Sequence, residues 1–256
     1  MAKQANQTLS YIGRGRITMR ALIAGTATAH KSIGNCSQLD LNFAEERAEQ
    51  RDYRVAGGGN AALLTRVSSM TGSITTFSFN SAVMAAVMRS QIITQDAGED
   101  ISVTYKVVPD CLDAFIPLKV LPNKAEPVVV EAAGTALTVN VDYSISNSGI
   151  QLIDGGNHAA DDDITIEYKS AASFSINPLT EGQVNYEIVF DGLNEANTNK
   201  PVAICVRCAA LNLVQTINII SGDTDFGTLP FTFEALRDET IVEDGISQFA
   251  SIQMAA

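Results

Sequence analysis

Few residues in this chain are of a type and spacing that could do chemistry. Of its two histidines, His30 and His158, neither stands beside a cysteine, a glutamate or the other histidine at the spacing a zinc site uses. Four cysteines occur, Cys36, Cys111, Cys205 and Cys208, and the last two make a single C-x-x-C. Side chains three apart in a strand point to opposite faces, so a redox or zinc role there requires a turn at that place. Asp161, Asp162 and Asp163, with Asp154 upstream, offer clustered carboxylates of the kind calcium takes. They lack the fixed glycine and bidentate glutamate of the twelve-residue loop, and a solvated turn accounts for them more simply. The run Gly13-Arg14-Gly15-Arg16 has no third glycine and does not open a helix, and neither a Walker A sequence nor a G-x-S-x-G elbow is present. Nothing assembles a nucleophile, a base and an orienting group. The expectation is a protein that is not an enzyme, with no catalytic residue, metal or cofactor; a hydrolase with an irregular site is the disfavoured rival.

The elements that would position these residues read as β. The 256 residues are 46% hydrophobic, enough for one large core or two smaller ones. Aromatics are 6%, Trp is absent, and small and β-branched residues are plentiful, which suits pleated sheet. Leu39, Leu41 and Phe43 alternate with Gln38, Asp40 and Asn42, the period of a half-buried strand. Val184, Tyr186, Ile188 and Phe190 do the same, and Asp191-Gly192-Leu193-Asn194 reads as the turn that ends that strand. Residues 9–24 read as a strand pair or one bent strand, with a bulge at Gly13 and Gly15. Residues 67–79 return to strand composition. Asn80 or Ser81 then caps a helix over 82–88, apolar nearly all round and therefore buried, with Met84 and Met88 as core filler. Residues 45–64 show no periodicity and read as a long charged loop ending in three glycines. Further β runs over 101–121 are punctuated by Pro109, Pro117 and Pro122. Short strands at 128–131, 137–139, 143–146, 150–153 and 164–168 make a small β insertion over 125–168, leaving 1–124 and 169–256 as the main domain. The last strands fall within 201–220 and 226–241.

The net charge of −12 argues against affinity for nucleic acid or an anionic membrane over most of the surface. Residues 1–90 hold ten basic and five acidic groups and so carry +5, and the remainder carries −17. That polarity would attract copies head to tail; varied solvated surfaces explain it equally well. The N-terminus lacks the apolar stretch of a secretory signal, and no run approaches a membrane span, so the expectation is a cytosolic product with reduced thiols.

Taken in order, the features are a β pair, Gly34-Asn35-Cys36-Ser37-Gln38-Leu39 leading a strand, a charged loop, a strand and the helix at 80–89. Near the other end stand Tyr186-Glu187-Ile188-Val189-Phe190-Asp191-Gly192-Leu193-Asn194 and Pro201-Val202-Ala203-Ile204-Cys205-Val206-Arg207. This order resembles the major tail tube protein of long-tailed bacteriophages. The resemblance implies a mainly β fold, a β-sandwich or barrel with one flanking α-helix, a long loop arm and the small β insertion. It implies a structural virion protein whose copies close into rings, usually hexameric, that stack into a hollow tube, the conduit for genome delivery. Its partners would be itself and the tape measure, tail terminator and tail tip proteins; double-stranded DNA would pass without specific binding, and no membrane insertion or cofactor would be needed. It would be made in the bacterial host cytoplasm and reside in the virion tail. The tubes of contractile tails and contractile secretion systems share this architecture.

By the same resemblance the loop is an arm reaching the next ring, built from Glu45, Glu46, Arg47, Arg51, Arg54, Gly57, Gly58 and Gly59. Its arginines would pair with acidic groups on the adjoining subunit. The lumen would be lined by the polar halves of the alternating strands, Gln38, Asp40, Asn42, Asn185, Glu187 and Glu234, since an acidic wall repels phosphates. The alternative is a virion decoration or receptor-binding β-sandwich protein, which would cluster solvent-facing aromatics on loops; this chain has few.

Overall fold

The computed structural model describes residues 10–24, 26, 28–54, 56–107, 113–220 and 226–255; Pro109, Cys111 and segment 1–9 lie outside them. In chain order the elements begin with β1 (Gly13–Leu22), β2 (Lys31–Gly34), β3 (Cys36–Arg51), β4 (Asn60–Thr76) and α1 (Ser81–Met88). Then come β5 (Ile92–Gln95), β6 (Asp100–Lys106), β7 (Phe115–Pro117), β8 (Val129–Ala132), β9 (Thr135–Ala136), β10 (Tyr143–Ile145), β11 (Gly149–Leu152), β12 (Asp163–Lys169) and β13 (Ser173–Ile176). The chain closes with β14 (Asn185–Asn194), β15 (Lys200–Leu211), β16 (Leu229–Ala235) and β17 (Ala250–Met254). The fold is mainly β. It divides into two units, one made of Met1–Gln91 with Asn177–Ala256, the other of Ile92–Ile176.

The first unit is an eight-stranded antiparallel sheet in the order β2-β1-β14-β15-β16-β4-β3, with β17 also on β15. Residues 202–206 of β15 pair with β17 and residues 209–211 with β16. Period two sends Ile17 and Met19 of β1, Ile188 of β14, Val206 of β15, Phe231 and Phe233 of β16, and Met70 and Ile74 of β4 to one face. There they form a single core with Val83 and Val87 of α1. For strands so far apart in the order to share a core, the sheet must curl round the helix. Each large apolar side chain so buried contributes roughly 1.5–3 kcal/mol. Of the two expected caps Asn80 is the one used, its side-chain oxygen accepting from Ala82 N–H at 2.9 Å.

Four sequence readings are corrected in this unit. Residues 45–64 are not a loop: β3 and β4 continue as a two-stranded ribbon to Arg51 and from Asn60, with a turn between. A ribbon exposed on both faces has no buried side to impose an alternating pattern, which is why it read as structureless. Gly13 and Gly15 form no bulge but pair regularly with Asn194 and Gly192; the irregularity lies between Ile17 and Thr18, against β2. Asp191-Gly192 is no turn, because β14 runs on to Asn194. Gly15 and Gly192 stand opposite each other, and a Cβ on Gly15 would lie 2.4 Å from the Asp191 carbonyl oxygen, so the pair marks a close strand approach. Finally, β15 stops at Leu211 rather than continuing toward 220, and β17 was not foreseen.

The second unit has its own core, in which Ile164, Ile166 and Tyr168 of the sheet β6-β12-β8-β9 meet Ile116, Ile150 and Leu152 of the sheet β10-β11-β7. It begins at Ile92 rather than 125 and ends at Ile176 rather than 168, because β6 and β7 are needed to complete the two sheets and β5 pairs with β13 at its ends. The strand expected at 137–139 is replaced by β9, two residues earlier. Ala133 and Gly134, at φ 48° and 80°, make a two-residue hairpin turn that fixes this register.

Candidate functional site

The six residues expected on the lumen share one face of the first unit's sheet, the face turned away from the core. Asn42 pairs with Thr71, Thr71 with Glu234, Glu234 with Ala210 and Ala210 with Asn185, so three of the six stand in one row across five strands. Asp40 pairs with Ser73 and Ser73 with Thr232; Gln38 pairs with Thr75. The Gln38 side-chain amide donates to Asp40, and Ser73 Oγ reaches the same carboxylate at 3.4 Å. Over β3, β4 and β16 the charged members of these rows are Asp40 and Glu234, both acidic.

Toward β1 and β14 the same face carries matched pairs. Arg14 lies 3.1 Å from Glu195 and Arg16 3.0 Å from Asp191, and Arg20 contacts Glu187. Glu187 is the most shielded of these carboxylates, and it also meets His30 Nε2 at 3.4 Å and the Cys205 thiol at 3.5 Å. Burial, reinforced by the Glu187 carboxylate, pushes the Cys205 thiol up to about 11. Such a thiol is protonated and a weak nucleophile. Cys208 is also raised, by burial first and by Asp238 second. Both lie in β15, and a register shift sets Arg207 and Cys208 together opposite Glu187. That bulge turns Cys208 onto the face of Cys205, where it meets the Asn185 side chain, correcting the opposite faces expected for residues three apart. Sequence spacing held no sign of the meeting of His30, Glu187 and Cys205, which the pairing of β14 with β15 and with β1, and the β1–β2 connection, bring together. Among the described residues no three histidine, cysteine or acidic side chains converge as a metal site.

The arm residues occupy the ribbon and its turn. Among the described residues, 45–51 pair only with 60–67, and β16 covers β4 no further than Thr71. Seven residues of strand project roughly 20 Å. Arg47 lies 4.0 Å from Glu45, and Arg54 takes Asp52 through Nε at 2.9 Å and Nη2 at 3.1 Å, holding the Asp52 carboxyl below its ordinary range. These two arginines, expected to seek acids on a neighbour, have partners within the ribbon. Gly57, at φ 84°, makes the turn, and Asp52 N–H closes it on the Gly59 carbonyl at 2.9 Å. Beside its charged side chains the ribbon and its turn expose apolar ones: Tyr53 is 89% exposed, Val67 68%, Leu63 57% and Leu64 50%, with Phe43 at 63% just before the ribbon.

The other candidates are structural. Asp162 closes its own turn by accepting from Ala159 N–H at 2.7 Å, and Asp163 opens β12. Gly13-Arg14-Gly15-Arg16 is strand, not a phosphate loop. In the second unit Asp142, which the sequence did not single out, is buried and accepts from Thr138 N–H at 2.7 Å and from Asn157 N–H at 2.9 Å, which hold its carboxyl below the ordinary range. No helix of the described residues is long and apolar enough to cross a membrane.

No curated protein matches the chain. One family model, described as Protein of unknown function UCP028589, matches residues 10–253, nearly the whole length, and the chain belongs to that family.

Proposed function

We propose that this chain is a non-catalytic structural subunit that assembles with copies of itself into stacked rings, forming the hollow tail tube of a long-tailed bacteriophage. The observation that carries the proposal is the β3–β4 ribbon, which leaves the sheet with neither face covered among the described residues while presenting exposed leucine, valine and tyrosine side chains. An exposed apolar element of this kind marks a contact with another molecule. The polar face supports the second half of the reading. Its arginines on β1 are matched by carboxylates, and the charges in the rows that cross β3, β4 and β16 are Asp40 and Glu234, so duplex DNA would slide past it without sticking. In the virion tail the tube's other partners are the tape measure, terminator and tip proteins.

Deleting residues 47–59 should leave rings or monomers that no longer form tubes in negative-stain microscopy of the purified protein. Normal tubes from that deletion would overturn the proposal. The separate core of Ile92–Ile176 favours the alternative of a virion decoration or receptor-binding protein; that reading calls for a full chain that binds the particle or a receptor and never polymerises.

A further inference from the structure

The first unit carries a groove that suits the ribbon. β1 and β2 part at Gly34, where a φ of 105° turns the chain away so that it continues as β3 on the far side of β4. Beyond this fork residues 13–16 have β14 on one side and, among the described residues, no strand on the other, because β2 reaches only Ile17, Thr18 and Met19. β3 likewise has β4 on one side only. The two unpaired edges bound a cleft of about 650 Å3, lined among others by Ile17, Leu39, Phe190 and Ile204.

We infer that this cleft is the receptor for the ribbon of a second copy, with Leu63, Leu64 and Val67 seated against Leu39, Phe190 and Ile204. The inference rests on the tail-tube reading and names the contact that would propagate it. A ribbon cannot reach its own chain's cleft, since Cys36 lines the cleft while Leu64 lies opposite Ala48, twelve residues along the same strand and roughly 40 Å away. A projecting ribbon and a cleft of mixed lining, open between two strand edges, at different places on identical molecules make a contact that repeats without closing, which is the geometry of a filament. The cleft also offers main-chain donors and acceptors along both edges, which an added strand would satisfy. Charge does not oppose the fit: residues 45–66 hold four acids and four arginines, and the cleft's own charged residues are Arg14 and Asp40.

Cys36 provides the test, because it lines the cleft and is only partly buried. With Cys111, Cys205 and Cys208 replaced by serine, the full-length variants Leu63→Cys, Leu64→Cys and Val67→Cys would each be assembled and oxidised. A disulfide requires Cα atoms within about 7 Å. The expected result is a ladder of linked multimers on a non-reducing gel from at least one variant, abolished by Cys36→Ser. As an independent measure, Leu64→Glu with Val67→Glu, both at exposed positions, should raise the concentration needed for polymerisation at least tenfold. Tubes that form but link at none of the three positions, or that ignore the two glutamates, would overturn the cleft while leaving the tail-tube reading intact. A full-length protein that polymerises under no condition would overturn both.

Discussion

At Glu187 a single carboxylate serves Arg20, His30 and the thiol of Cys205, and the burden falls on the thiol. With its titration moved up to about 11 by burial and by that carboxylate, Cys205 should react with iodoacetamide at pH 8 roughly tenfold or more slowly than an exposed thiol. Glu187→Gln should recover part of the rate, which mass spectrometry of the labelled peptide would show; an unchanged rate would leave burial as the sole cause. Asp142 makes the opposite case, a carboxyl held low by two backbone N–H donors. A depressed carboxyl stabilises the folded state at pH above its unfolded value near 3.9, and that contribution is lost as pH falls through the lower folded value. The urea midpoint of the second unit should therefore drop below about pH 4, and Asp142→Asn should flatten the drop. Equal acid limbs in the two proteins would refute the assignment.

Among the elements, the sheet of the first unit is built tight enough that glycine is structural where strands cross aromatics. Gly72 pairs with Phe233, and a Cβ there would sit 2.2 Å from the ring's Cζ and 2.8 Å from the Asp40 carbonyl. Gly72→Ala should lower stability by about 1–3 kcal/mol in a urea titration, since neither backbone nor a fully buried ring can move aside cheaply. Asn80→Ala, which removes the cap of α1, should cost about 1 kcal/mol.

These elements were unevenly legible in the sequence. Where one face is core, as at Leu39 and Leu41 or Tyr186 and Ile188, alternation reveals the strand and even which residues share the polar face. The helix was legible from its cap and its unbroken apolar run. The ribbon was not, because its pattern answers to no core of its own chain. Asp191-Gly192 misled because a glycine needed for close approach looks like a glycine needed for a turn. Cys208 was placed on the wrong face because one extra residue in β15 reverses the count.

For the whole molecule, the division into two cores predicts that Ile92–Ile176, expressed alone, gives a cooperative thermal transition. Its 13 acidic and four basic residues should keep that fragment dispersed. A fragment without a transition would show that the core requires the rest of the chain. The polar face makes its own prediction: lysines at Gln38, Asn42 and Glu234 together should slow or stall genome release in an infection assay, and unchanged release would remove that face from the conduit.

The same division has a consequence for biosynthesis. Ile12 and Asn194, joined by a hydrogen bond at the mouth of the β1–β14 pair, are 182 residues apart in the chain, and Ile92–Ile176 is translated between them. At a ribosomal pace of 5–20 residues per second, β1 waits roughly ten to thirty seconds for its partner to emerge. Throughout that delay the nascent N-terminal strands present naked edges beside other ribosomes on the same message. A folding chaperone, or the early collapse of β3, β4 and α1, therefore has to keep them apart until β14 arrives.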